Sequence, residues 1–115
     1  MKAINFLPGN YHGSPIDGRK RGTVRLGDRS QNYCENEIVW ITEGSPYSKR
    51  RKIFTAYIER ILVKTIAKLT HDDIQQENPQ IADIKEMQDY LSETYKTPVS
   101  ETDVVTVIRF TEVDE

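Results

Sequence analysis

Apolar positions alternate up to about residue 66 and recur at three- and four-residue spacing beyond it, and this change of period separates strands from helices. At residues 2–7, Ile4 and Phe6 share one face of a short β-compatible run that Pro8-Gly9 stops. Residues 23–26 alternate again: Val24 and Leu26 are expected in the core, Thr23 and Arg25 outward or in a cleft. Residues 36–42, Asn-Glu-Ile-Val-Trp-Ile-Thr, form the clearest strand, and the apolar run suits burial on both faces. The basic run Lys49-Arg50-Arg51-Lys52 is expected at an exposed hairpin tip. Residues 53–66 also fit a helical stripe, but β-branched and aromatic side chains favour two strands with a bend near Glu59-Arg60.

Helical signals are fewer. Ser14-Pro15-Ile16-Asp17 allows one turn, with a cap residue before proline at the first helical position. Thr70-His71-Asp72-Asp73 reads as an N-cap with an acidic first turn, although Asp73 stands where a capping box carries Glu or Gln. A short helix to Gln76 or Glu77 is expected. Pro79 holds Asn78 extended, and Ile81, Ile84, Met87, Leu91 and Tyr95 trace one face of a second helix of about four turns. Residues 97–101 read as loop and residues 104–111 as a final strand. This order of elements predicts an α+β domain whose sheet must curl, giving a small, partly open β-barrel.

Length and charge narrow the picture. At 115 residues the chain suits one domain, residues 1–115. No apolar run approaches the roughly 18 residues of a membrane span and no signal segment opens the sequence, so a soluble, cytoplasmic protein is expected. Residues 1–66 carry 12 Lys/Arg against 6 Asp/Glu, and residues 67–115 carry 4 against 12. Such asymmetry either makes one face attractive to phosphates or pairs the two halves in the fold. The net charge of −2 speaks against nucleic-acid binding by bulk charge alone and leaves a small anionic or nucleoside ligand compatible. The single cysteine, Cys34, and the histidines, His12 and His71, supply no metal-ligand spacing and no nucleophile triad, so no metal and no cofactor are expected.

The chemistry that remains lies in residues 17–25, where four cations crowd a threonine as a loop becomes a strand. By composition alone this is a solvated basic turn or a site. The pattern Gly18-x-Lys20-x-x-Thr23-x-Arg25 resembles the signature of the ASCH-domain family, a PUA-like β-barrel group, at every fixed position. Within that family the chain looks most similar to small bacterial amidohydrolases that remove the acetyl group of acetylcytidine, and Gln76-Glu77-Asn78 matches their Gln-Glu-Asn segment. The resemblance implies a PUA-like barrel with two or three short to medium helices, a nucleoside substrate, and Lys20, Thr23 and Glu77 as catalytic candidates. Arg21 and Arg25 within the motif and Asn78 beside Glu77 are the substrate-binding candidates. Gly22 stands where the close relatives tend to carry a β-branched residue. A threonine hydroxyl needs an adjacent base, and a lysine serves only if its pKa is brought down by burial or neighbouring cations. The alternative is an RNA-binding barrel, with or without ribonuclease activity, in which Arg19, Arg21, Arg25 and residues 49–52 track phosphates.

Overall fold

The computed structural model describes residues 1–7, 20–45, 47 and 49–114. Five strands form one sheet: β1 (Ala3–Phe6), β2 (Gly22–Leu26), β3 (Ile38–Glu43), β4 (Arg51–Thr65) and β5 (Val104–Glu112). A 3-10 turn (Ile66–Lys68) and two helices, α1 (His71–Glu77) and α2 (Ile84–Tyr95), lie between β4 and β5 in the chain. The strand order is β1-β3-β4-β5-β2; β1 runs parallel to β3 and the other neighbours are antiparallel. The sheet curls into a half-barrel, so its two edge strands approach across a seam, where Arg25 Nη2 of β2 donates to the Asn5 carbonyl of β1 at 3.0 Å. The expected α+β, partly open barrel is what forms.

Alternation along β5 divides the core in two. Val105 and Val107 pack with Val24, Ile66, Met87 and Leu91 beneath the helices. Ile108 and Phe110, on the opposite parity, pack with Ile4, Phe6, Val39, Ile41 and Phe54 inside the half-barrel. Two expectations change here. Residues 51–65 form one strand of 15 residues rather than two, because the register shift between Ile58 and Arg60 inserts Glu59 as a bulge. A bulge bends and twists a strand while pairing resumes on either side of it. The second change is in β3, which buries one face only: Val39 and Ile41 are inside, whereas Trp40 is 41% exposed. Among the described residues no helix covers that outer face, and the Lys52 ammonium lies 5.4 Å from the Trp40 ring centre instead.

The helix starts follow their caps. Thr70 Oγ1 accepts from the Asp73 N–H at 3.1 Å, and Asp73 Oδ2 accepts from the Thr70 N–H at 3.0 Å. Aspartate thus completes the capping box that the sequence left one methylene short. Asp83 caps α2, so Ile81 sits in the loop before the helix rather than in its first turn, yet remains in the core. The helical turn expected at residues 14–17 lies outside the described residues, as do Gly18, Arg19 and His12.

Candidate functional site

β2 is an edge strand that pairs with β5 on one side, so N–H groups on its other side need partners from elsewhere. Helix α1 supplies one. Asp73 and Glu77, four residues apart, fall on the same face of α1 and are buried with Ile74 between them. Glu77 Oε1 accepts the Val24 N–H at 3.0 Å. Gly22 lets the helix come this close: a Cβ there would lie 3.1 Å from Gln76 Cβ and 3.1 Å from the Ile108 carbonyl oxygen.

Glu77 is the hub of the cluster that results. Its Oε1 also accepts the Thr23 hydroxyl at 2.8 Å; its Oε2 accepts the Lys20 ammonium and, at 3.3 Å, the Tyr90 hydroxyl. Thr23 Oγ1 in turn accepts from Arg25 Nε at 3.1 Å. The Phe6 ring carries both cations, Lys20 at 4.6 Å and Arg25 at 4.8 Å from its centre. Lys20, Thr23 and Glu77 are each at most 4% exposed. A carboxylate in the last turn of a helix meets the negative end of the helix dipole, and its four donors offset both that and the desolvation.

The electrostatics follow from burial. Lys20 is held below its ordinary value, first by desolvation, with the Glu77 carboxylate pulling it back up and Arg25 adding to the lowering. Burial, and then the Glu77 charge, push the Tyr90 hydroxyl well above the usual tyrosine range. At the other end of α1, burial would raise Asp73, but hydrogen bonds from Lys64, the Thr70 N–H and Arg109 prevail and hold it at about 2. Lys64 Nζ and Arg109 Nη2 both reach Asp73 at 2.7 Å. Lys20 with Glu77 and Lys64 with Asp73 therefore join the basic first part of the chain to the acidic second part.

The cluster opens onto a cleft of about 360 Å³ at the seam, lined by Phe6, Thr23, Arg25, Tyr33, Glu77 and Tyr90 among others. That volume lies in the range of small-molecule pockets, roughly 300–1,000 Å³. Lys20 is behind Glu77 and does not line the cleft. Thr23, Arg25, Glu77 and Lys20 are thus brought together. Arg21 is not with them: it lines a second cleft, with Arg60, Asp72, Gln76 and Arg109. Asn78 is buried at the end of α1, where its Oδ1 accepts the Gln80 N–H at 2.9 Å and turns the chain. Two members of the site were not singled out from the sequence. Tyr90 follows Met87 by three residues on the inner side of α2, a spacing that signals contact with the core. Asn5 is a polar residue in an apolar edge strand; its side chain bonds Gly44 and Thr42 while its carbonyl takes Arg25.

An ASCH domain from Lactobacillus crispatus matches the structure with a TM-score of 0.61 at 14% identity, over 84% of this chain and 66% of that one. The fold is that of an ASCH domain. A protein from Enterococcus faecalis, of the DUF984 family, matches with a TM-score of 0.59 at 14% identity, over 86% of this chain and 64% of that one. The chain thus spans about two thirds of the length of these two structural neighbours, and the likeness is one of fold. No family model matches the sequence, nor does any curated protein. Among the described residues no group of three His, Cys, Asp or Glu is arranged to hold a metal, and no helix is long and apolar enough to cross a membrane.

Proposed function

We propose that this ASCH-fold chain is an amide hydrolase that removes the acetyl group from the exocyclic amine of acetylcytidine-type nucleosides. The observation that supports this most is the Thr23 hydroxyl, buried in a cleft floor, with its proton directed at Glu77 and an arginine on its oxygen. In the proposed reaction Thr23 Oγ1 attacks the acyl carbon, and Glu77 Oε1 receives the hydroxyl proton. The Lys20 ammonium, paired with Glu77 Oε2, holds that carboxylate in place as the proton is taken up and given back. Arg25 is the cation beside the attacking oxygen and stabilises the oxyanion as it develops. The proton then returns to the departing amine as the C–N bond breaks. Water, activated by the same pair, hydrolyses the threonine ester and releases acetate.

The buried placement favours this reading over a phosphate track for RNA. Arg25, which such a track would include, is half-buried and committed to Thr23 and Asn5. Acetate release from acetylcytidine tests the proposal. Thr23→Ala and Lys20→Ala should each lose at least about 100-fold in turnover with the circular dichroism spectrum retained. Unchanged turnover in both purified variants would sink it.

A further inference from the structure

Among the described residues, the charged side chains that line the seam cleft are Arg25, Arg50 and Glu77. Glu77 is neutralised by Lys20. Arg25 is engaged with Thr23 Oγ1 and the Asn5 carbonyl. Arg50 is exposed and makes no hydrogen bond or ion pair with another described residue. Its neighbours face other tasks: Arg51 reaches Glu43 at 3.3 Å, and Lys52 lies over the Trp40 ring. Among the described residues that line the cleft, Arg50 is therefore the cation left uncommitted.

The backbone holds Arg50 in that position. A Cβ on Gly44 would lie 2.9 Å from Arg50 Cα and 3.0 Å from its Cγ, so this hairpin closes so tightly only over glycine. The Gly44 carbonyl accepts from Asn5 Nδ2 at 2.9 Å, and the Asn5 carbonyl accepts from Arg25. Asn5 thus links Arg25 to Gly44, the residue packed against Arg50.

We propose that the substrate of this cleft is a phosphorylated nucleoside, a mononucleotide whose acylated base lies at Thr23 and whose phosphate meets Arg50. The assignment of the base end rests on the amide-hydrolase reading above; the phosphate end rests on Arg50. A guanidinium forms charge-assisted, bidentate bonds to a phosphate, and at an exposed mouth this is worth about fivefold to tenfold in affinity.

The test compares kcat/KM for acetylcytidine and acetylcytidine 5′-monophosphate at low ionic strength, alongside calorimetric Kd values for cytidine and cytidine 5′-monophosphate. The expected result is a preference of about fivefold or more for the monophosphate in both measurements, reduced to less than about twofold in Arg50→Ala. If neither acetylated compound is hydrolysed while the Arg50-dependent preference in Kd persists, the phosphate site stands and the amide-hydrolase reading falls. Equal values for nucleoside and nucleotide overturn the proposal, as does a preference that survives Arg50→Ala. Faster turnover of an acetylcytidine-containing oligoribonucleotide than of the monophosphate overturns it too.

Discussion

Glu77→Gln keeps the size of the side chain and removes one acceptor from a hub that holds four donors, two on each oxygen. Whichever way the amide is turned, its NH2 group faces donors. The Thr23 and Tyr90 hydroxyls can rotate to accept, but the Val24 N–H and the Lys20 ammonium cannot. The amide oxygen is therefore expected to stay on Val24 and its NH2 group to face Lys20, whose side chain is 0% exposed. Leaving that charge buried and unpaired costs about 3–5 kcal/mol. Shedding its proton instead costs about 1.4 kcal/mol for each pH unit below the ordinary lysine value near 10.4, or about 4–5 kcal/mol at pH 7. Both routes give a loss of about 3–5 kcal/mol at neutral pH, a large share of the roughly 5–15 kcal/mol that holds a domain together.

The two routes differ in pH dependence. With Lys20 neutral in the folded variant and protonated in its unfolded chain, the unfolded state binds more protons, so stability rises with pH. The gap between wild type and variant should narrow toward about 1–2 kcal/mol at pH 9.5. Urea unfolding followed by circular dichroism at both pH values measures it, and the Lys20→Met/Glu77→Gln double variant should lose less than the sum of the single losses. A loss below about 1 kcal/mol at pH 7 would refute the account of Lys20 as a buried charge held by Glu77, whereas a gap identical at both pH values would show that Lys20 keeps its proton in the variant.

The other end of α1 behaves oppositely. Asp73 is depressed from 3.8 to about 2, so its contribution is present above pH 4 and is lost as pH falls through 2. Asp73→Asn should cost about 2 kcal/mol at pH 7 and flatten the acid limb of a stability-against-pH series; a variant that parallels wild type down to pH 2 would contradict the pairing with Lys64 and Arg109. Gly22→Val should destabilise by about 1–3 kcal/mol, because its methyls meet Gln76 Cβ and the Ile108 carbonyl. Gly22→Ala should cost less, and a Tm for the valine variant equal to that of wild type would show that α1 has room to move.

The seam gives the site its chemistry and sets the cost of keeping it. An open edge on β2 leaves an N–H group for Glu77 to accept, and the curl of the sheet brings Asn5 of β1 within reach of Arg25. A closed barrel would satisfy both edges with each other and leave no gap for a carboxylate. The half-barrel instead fills its seam with a buried ion pair, a threonine and Arg25.

Local patterning by itself determined the element types and most of their positions. Alternation marked residues 23–26 and 104–111, the helical spacing of Met87, Leu91 and Tyr95 marked α2, and Thr70 marked the start of α1, because period and cap depend only on neighbouring residues. The motif from Gly18 to Arg25, with Glu77, also named the side chains that meet at the seam. Tertiary structure decided what local signals do not carry. It turned the bend at Glu59 into a bulge within one strand, left Trp40 on an uncovered face, and sent Arg21 and Asn78 away from the cleft that holds Thr23. It also joined Tyr90, Asn5 and Arg50 to that cleft across dozens of residues. Burial and edge pairing depend on which distant segment packs alongside, so only the curled sheet, with α1 laid along its open edge, could assign them.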